Sequence, residues 1–237
     1  TEGCSPFLVN FSNQSKGEPA TYEFDFGDGS PIYTTNSLEE AAHTFTVLSN
    51  TIFTVKLKVT NECGTSSSSY NIRVRPNTVT ANLVVNGPQL IGCQPHTVTF
   101  YNNSVGANQY TWDFGDGTPL ITNAALIMTH TYTISGTFTA KLTATNGCST
   151  TSTTEQILVH PQPIASFTTT KNNYCKDEWI YFINTSPQGD FVWDFGDGVI
   201  STQQNPQHRF VTPGVYTVTL ITSVTQADGM KCSTTVT

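Results

Sequence analysis

The pentapeptide DFGDG occupies residues 25–29 and recurs at 113–117 and 194–198. Each copy ends a stretch in which aromatic and polar residues alternate: TYEFDFGDG, QYTWDFGDG and DFVWDFGDG. Because successive side chains of a strand point to opposite faces, this alternation predicts a strand that buries its aromatic residues and exposes its Asp. The residues assigned to this structural motif, including a histidine that follows each copy, are Phe24, Asp25, Gly27, Asp28, Gly29, His43, Trp112, Asp113, Gly115, Asp116, Gly117, His130, Trp193, Asp194, Gly196, Asp197, Gly198 and His208.

The pentapeptide itself is predicted to reverse the chain between two antiparallel strands. Asp-Gly is a strong hairpin signal, because Gly adopts positive φ where two strands reverse. In the first copy this pair is Asp28 and Gly29, while Gly27 would permit a bulge or a close approach of another backbone segment. Asp25 is expected to cap the loop that follows it.

The paired carboxylates raise chemical alternatives to a turn. Calcium takes about six to eight oxygen ligands, whereas each copy supplies two carboxylates that point different ways. Glycoside hydrolysis needs two acids across a cleft, for which a repeat of about 80 residues leaves no room. The letters DFG also occur in kinases, but the other kinase motifs are missing from this sequence. The calcium candidates are Asp25, Asp28, Asp113, Asp116, Asp194 and Asp197.

Six cysteines fall into register with the three copies of the pentapeptide. In each repeat one cysteine stands seven residues before a Phe, and a second cysteine follows 59, 55 or 57 residues after the first. One bridge per repeat is the simplest of the many connectivities that six cysteines permit. Such long separations suit disulfides formed in an oxidising compartment rather than a zinc site. The predicted disulfides are Cys4–Cys63, Cys93–Cys148 and Cys175–Cys232.

Two polar positions also recur in every repeat. Asn13, Asn102 and Asn184 each stand two residues before a Ser, and this pattern predicts a turn in which both side chains bond the backbone. The same Asn residues form glycosylation triplets, so a glycan is the alternative interpretation. The histidine in HTF, HTY and HRF is interpreted as a packing or hydrogen-bonding residue of the fold.

The remaining segments predict strands rather than helices. FTVKLKVTN and its two counterparts alternate apolar and polar residues, and no stretch shows a sustained helical period. The proline-containing joints VRPN and VHPQP divide the chain into three predicted domains, at residues 1–77, 78–161 and 162–237. The first of these is expected to lack an N-terminal strand and the third a C-terminal strand.

Charge and composition exclude several classes of function. The 237 residues carry a net charge of −7 and contain no basic run, which disfavours nucleic acid and anionic membranes as partners. No stretch approaches the roughly 18 apolar residues of a membrane span, and no leader is evident. A surface rich in Thr, Ser and Asn is typical of an extended extracellular module.

WDFGDG followed by HTY and then by GTFTAKLTATNGC resembles the PKD domain, an immunoglobulin-like sandwich named for polycystic kidney disease protein. All three repeats match, although the first has Phe24 where the family has Trp and the third has an insertion, TQADGMK, before Cys232. The resemblance implies an all-β chain of three tandem immunoglobulin-like β-sandwiches in an elongated rod, with one intradomain disulfide each. The tandem copies are also similar to PKD-repeat surface proteins of Bacteroidota, including gliding-motility adhesins.

That second resemblance implies export by the type IX pathway and display on the cell surface. We therefore expect a non-enzymatic stalk without a cofactor, calcium being the one candidate. Its expected partners are neighbouring repeats, surface glycans or proteins, and the secretion machinery during export. The alternative is an accessory substrate-binding or glycan-binding region of a secreted hydrolase, which predicts exposed aromatic side chains on a sheet face.

Overall fold

The computed structural model describes residues 1–16, 20–171 and 173–237. Its regular structure is β throughout, apart from one 3₁₀ turn at Gly87–Gln89. This confirms the all-β class that the alternating segments predict.

The N-terminal strands are β1 (Glu2–Cys4), β2 (Phe7–Phe11), β3 (Thr21–Asp25), β4 (Tyr33–Thr35), β5 (Ala41–Phe45), β6 (Thr51–Asn61) and β7 (Gly64–Arg75). They form a five-stranded sheet in the order β1-β7-β6-β3-β4 and a second sheet in which β2 pairs with β5. The β6–β7 hairpin pairs from Thr51 and Val74 at one end to Asn61 and Gly64 at its tip. At the end away from the tip, β1 runs parallel to β7 and places Cys4 opposite Arg75.

The middle strands repeat this arrangement: β8 (Leu83–Val85), β9 (Ile91–Cys93), β10 (His96–Asn102), β11 (Gln109–Asp113), β12 (Ile121–Asn123), β13 (Ile127–Tyr132), β14 (Gly136–Thr145) and β15 (Thr150–His160). Their sheets have the orders β13-β10-β8 and β12-β11-β14-β15-β9. Here β9 runs parallel to β15, so that Cys93 lies opposite His160.

The C-terminal strands are β16 (Phe167–Thr169), β17 (Ile180–Asn184), β18 (Asp190–Asp194), β19 (Ile200–Ser201), β20 (Gln207–His208), β21 (Thr219–Thr225) and β22 (Lys231–Val236). They form sheets in the orders β16-β17-β20 and β19-β18-β21-β22. Beside this core a cavity of about 650 Å³ lies between Phe182, Tyr216 and Val218.

Buried apolar side chains form three clusters, within residues 9–74, 79–159 and 180–220. We call the three parts of the chain built around these clusters the first, middle and third units. The predicted domain boundaries after residues 77 and 161 fall between the clusters and stay predictions. At the centre of each cluster lies the aromatic residue two positions before the Phe of the pentapeptide, at most 3% exposed in all three units. These residues are Phe24, Trp112 and Trp193.

The expectation of one disulfide within each repeat is wrong. The structure instead joins Cys4 to Cys148 and Cys93 to Cys232, and it leaves Cys63 as an exposed thiol. The third predicted pair is also absent, since Cys175 is an exposed thiol as well. The predicted pairs Cys4–Cys63, Cys93–Cys148 and Cys175–Cys232 must therefore be withdrawn.

The physical reason is the length of the hairpin that separates the two cysteines of one repeat. Cys4 pairs with the far end of β7, whereas Cys63 lies at the tip where β7 begins. At about 3.4 Å per residue, the 12 residues of β7 hold these positions roughly 37 Å apart. A disulfide needs Cα atoms within about 7 Å. Each repeat thus has a cysteine at each end, and tandem packing brings ends of different repeats together.

Candidate functional site: repeated turns and disulfide junctions

The first Asp of each pentapeptide caps the turn through the backbone. Asp25 Oδ1 accepts a hydrogen bond from the Gly27 N–H at 2.9 Å, and the other two copies repeat this bond at 3.0 and 2.9 Å. Gly27 has a φ of 73°, and a Cβ there would lie 2.5 Å from the carbonyl oxygen of Thr54. The turn therefore requires Gly at this position, because any side chain would collide with β6.

The second Asp of each pentapeptide binds the histidine that follows it along the chain. In each copy Asp Oδ2 lies 2.6 to 2.7 Å from His Nε2. The imidazole also stacks on the Phe of the pentapeptide, with ring centroids 4.0 to 4.2 Å apart. Each histidine therefore links the turn to the neighbouring sheet. The three pairs are His43–Asp28, His130–Asp116 and His208–Asp197.

These contacts change the acidity of the second Asp. Burial alone would raise the pKa of Asp28, but hydrogen bonds from Ser30 and His43 outweigh it and lower the pKa to about 2. Burial also opposes the hydrogen bonds that lower the pKa values of Asp116 and Asp197. A depressed carboxyl pKa stabilises the fold above the unfolded value of about 4 and loses that effect as the pH falls through the folded value. The turns are structural elements that weaken in acid.

The six candidate calcium ligands do not converge on one point. Within residues 1–16, 20–171 and 173–237, no three His, Cys, Asp or Glu side chains are grouped to hold a metal ion. In the first copy Asp25 Oδ1 is engaged by Gly27, and both Asp28 oxygens are engaged by Ser30 and His43. These carboxylate oxygens bond the backbone and the histidine, and the two carboxylates of one copy supply fewer than the six to eight oxygens that calcium takes.

The recurring Asn residues form turns. The Oδ1 atoms of Asn13, Asn102 and Asn184 accept the N–H two residues later at 3.1, 3.0 and 2.8 Å. The Nδ2 atoms of all three are buried and have no hydrogen-bond partner among the described residues. Because a glycan would attach to this nitrogen, the folded chain does not present it for glycosylation.

The first junction is the contact between the first and middle units around the Cys4–Cys148 bridge. The two Cα atoms of this bridge are 5.5 Å apart. Arg75 Nη1 donates to the Asn146 carbonyl oxygen at 3.2 Å, and Asn146 Nδ2 donates to the Pro76 carbonyl oxygen at 2.8 Å. Asn146 is only 2% exposed, so its bond to Pro76 is buried, whereas the bond from Arg75 is partly buried.

The second junction is the contact between the middle and third units around the Cys93–Cys232 bridge, with Cα atoms 5.7 Å apart. His160 occupies the place of Arg75, since each lies opposite the bridging cysteine of its own unit. His160 Nε2 donates to Asp228 Oδ2 at 2.7 Å. A hydrogen bond from the Met230 N–H and a second from His160 lower the pKa of Asp228.

Sequence reasoning missed both junctions. Asp228 lies in the insertion TQADGMK, which the repeat alignment treats as a departure from the pattern rather than as a contact. Arg75 and His160 share one signal that the sequence does carry, because each stands directly before the proline of a predicted joint. A polar residue at that position in both joints points to a contact with the next unit.

Comparison with known proteins agrees with the fold. Residues 1–75 and 160–237 match one family model described as PKD domain, and residues 82–159 match a second with the same description. The chain belongs to the PKD domain family. PKD domains are typically extracellular modules, and within the described part of this chain no helix is long and apolar enough to cross a membrane.

Two curated relatives contain PKD-like segments. The chain is 44% identical over 55 residues to a microbial collagenase of Vibrio alginolyticus, covering 22% of this chain and 6% of the collagenase. It is 36% identical over 78 residues to human polycystin-1, covering 32% of this chain and 2% of polycystin-1. The chain thus spans a small fraction of the length of either relative.

Among solved structures, a titin I-band fragment, I67–I69, aligns with a TM-score of 0.52 at 10% identity. The alignment covers 99% of this chain and 93% of the titin fragment. At this level of identity the likeness shows the fold alone, a tandem immunoglobulin-like chain.

Proposed function

We propose that this chain is a non-enzymatic spacer within a large secreted cell-surface protein, in which three PKD domains form an elongated, covalently reinforced rod. The observation that carries the proposal is the placement of the disulfides. Each bridge joins two neighbouring units rather than the two ends of one unit. A linker without such a bridge leaves relative domain motion as the default, whereas each bridge fixes two units at a second point beside their joint.

The two bridges also divide the chain into parallel covalent paths. Three segments connect the same two bridges: one from Cys4 to Cys93, one from Cys93 to Cys148 and one from Cys148 to Cys232. The shortest, from Cys93 to Cys148, contains 55 residue steps. Tension applied to the two ends of the chain can extend it only until this shortest segment is straight.

This arrangement shields the outer units from load. A pull on Thr1 reaches the middle unit through the Cys4–Cys148 bridge, so the polypeptide of the first unit lies on a longer, slack path. The same holds for most of the third unit when Thr237 is pulled, because the load leaves through Cys93 and Cys232. Such shielding of the outer units suits a stalk that holds an adhesive part away from a cell.

Single-molecule stretching between the two termini tests the proposal. The shortest covalent path is about 63 residue steps when both bridges are intact and 236 when both are reduced. At about 3.6 Å per residue these paths correspond to roughly 230 Å and 850 Å. We expect the short limit in oxidising buffer and the long one with a reductant.

Two variants sharpen this measurement. C4S/C148S should extend to about 97 residue steps and C93S/C232S to about 92, because each retains one bridge. An oxidised protein that extends to the full reduced length would contradict the reinforced rod. Small-angle scattering should show an elongated particle, and a compact globule would contradict it too.

The wider setting of the proposal comes from the resemblance to Bacteroidota surface adhesins, including those of gliding motility. Under it the chain is exported by the type IX pathway and displayed on the cell surface, where its partners are neighbouring repeats and surface glycans or proteins. Support comes from the tandem PKD units, the disulfides and the net charge of −7. Surface labelling of intact cells before and after deletion of the type IX machinery tests this part.

One feature of the third unit favours the alternative, an accessory binding region of a secreted hydrolase. Trp179, Tyr181 and Ile183 lie on the outward side of β17 and its N-terminal end, and each is 46 to 56% exposed. The Arg209 guanidinium lies 5.3 Å from the centre of the Trp179 ring. Trp and Tyr side chains are enriched at binding interfaces, because they combine a large apolar ring with a hydrogen-bonding group. A glycan-binding screen that detects binding lost in W179A/Y181A would favour this function over the spacer.

A further inference from the structure

Cys63 and Cys175 are the two cysteines that take part in neither bridge, and both are exposed. Both junctions are built from cysteines at the equivalent positions of the other units. Each bridge joins a cysteine that stands seven residues before a Phe to a cysteine at or near the tip of a hairpin in the next unit, Cys148 between β14 and β15 or Cys232 at the second residue of β22.

Cys63 has the position and the local hydrogen bond of the hairpin-tip cysteine in such a junction. It lies between β6 and β7 as Cys148 lies between β14 and β15. The Cys63 N–H donates to Asn61 Oδ1 at 3.0 Å, and the Cys148 N–H donates to Asn146 Oδ1 at 2.9 Å. A groove of about 600 Å³ beside this tip is lined by Tyr22, Leu38, Asn61 and other residues of the first unit.

Cys175 has the position of the other cysteine in such a junction. It stands seven residues before Phe182, as Cys4 and Cys93 stand seven residues before their own Phe. Its N–H donates to Glu178 Oε2 at 2.9 Å, and its carbonyl oxygen accepts the Glu178 N–H at 3.1 Å. The backbone around the thiol is therefore held in place on the surface.

We propose that Cys63 and Cys175 form one further junction of the same kind. In it, a disulfide joins Cys175 of one PKD unit to Cys63 of the next. A second copy of this chain presents both cysteines, so copies join head to tail through Cys175 of one and Cys63 of the next. The inference rests on the proposed rod and extends it, because the covalent path that bears the load then continues from one copy to the next. Head-to-tail contacts of this kind generate an open chain rather than a closed dimer.

The bond forms by thiol–disulfide exchange with a small-molecule disulfide such as oxidised glutathione. One protein thiolate attacks glutathione disulfide and releases one glutathione, and the second protein thiolate then displaces the other. Two electrons pass from the protein sulfurs to glutathione disulfide. The two thiol protons end on the two released glutathione molecules, and one S–S bond joins the copies.

Two single variants test the pairing. C63S retains only the Cys175 thiol, and C175S retains only the Cys63 thiol. In a glutathione redox buffer we expect each variant alone to remain monomeric and the mixture to give a dimer at least about tenfold faster than either alone. Peptide mass mapping should find Cys63 linked to Cys175. The unaltered chain should form a ladder of oligomers on a non-reducing gel.

A variant whose thiol is moved to another exposed position tests whether exposure alone explains the pairing. C63S/S67C/C175S places one thiol on the exposed flank of the same hairpin, four residues from the tip, and should pair with C63S no faster than background. Equal rates for this control, or homodimers that form as fast as the mixed dimer, would overturn the inference. So would a mixture that stays monomeric while mapping finds Cys4–Cys148 and Cys93–Cys232 intact. Loss of those two bridges would instead overturn the reinforced rod itself.

Discussion

Each junction contains one disulfide bridge, but the two junctions differ in the polar contact beside the bridge. At the first junction Arg75 donates to the neutral carbonyl of Asn146, whose side chain is buried. At the second, His160 meets the carboxylate of Asp228, and their side chains are 13% and 28% exposed. The bridge sets which units are joined, whereas the polar contact sets how rigidly and over what pH range they are held.

The largest effect is expected from removing either bridge, and the two removals should be nearly equal. The bridges close loops of 144 and 139 residues, for which the loop-entropy model gives about 5 kcal/mol each. Denaturant unfolding of C4S/C148S and C93S/C232S measures this loss of unfolding free energy. If one variant lost several times more than the other, the junctions would differ in the bridge itself and not only in the contact beside it.

A smaller effect is expected from N146A, which acts on the first junction and on the hairpin of the middle unit. Asn146 Oδ1 accepts from the N–H groups of Cys148 and Ser149, and Nδ2 donates to the carbonyl oxygens of Pro76 and Gly106. Truncation leaves these buried groups unpaired and should lower the unfolding free energy by about 2 to 4 kcal/mol.

The matched control for N146A is N61A, at the equivalent hairpin tip of the first unit. Asn61 Oδ1 accepts from the Cys63 N–H, so N61A should cost about 0.5 to 1.5 kcal/mol. Equal losses in the two variants, measured by the same denaturant titration, would show that Asn146 serves its own hairpin rather than the junction.

A pH effect is expected at the second junction only. The pKa of Asp228 is lowered in the folded chain, so its contribution is complete above the unfolded value of about 4 and is lost as the pH falls through the folded value. Hydrogen exchange should show protection of the Met230 amide falling in that range, while the Cys148 amide, which donates to a neutral Asn, keeps its protection.

D228N should remove this pH dependence of Met230 protection, because an amide does not titrate there. The stability change itself should be small, since the pair is partly exposed and solvent screens it. A Cys148 amide that followed the same acid transition would show that both junctions open together, and the proposed difference between them would then be wrong.

The smallest effect is expected from calcium. Because the carboxylate oxygens already accept protein hydrogen bonds, adding calcium or a chelator should shift the melting temperature by less than about 1 °C. D116N provides the matched control. A rise of several degrees that D116N abolishes would establish a calcium site at the middle turn.

Local patterns were enough to predict the strands and the turns. The alternation around Phe24 and Trp112 required a strand with one buried face, and Gly27 had to be Gly because its backbone is left-handed and touches β6. The pairing of Asp28 with His43 was not predicted, although the histidine was assigned a hydrogen-bonding role. Both residues recur at fixed offsets, but the offset does not say which residues meet.

The cysteines mark the limit of the amino-acid sequence as evidence. Their regular spacing determined by itself that each repeat carries two of them at equivalent places, and the simplest interpretation paired them within a repeat. Only the tertiary structure decided the partners, because a hairpin roughly 37 Å long separates Cys4 from Cys63 while tandem packing brings the Cα of Cys148 within 5.5 Å of that of Cys4. Sequence separation measures distance along the chain, and disulfides form between atoms that are close in space.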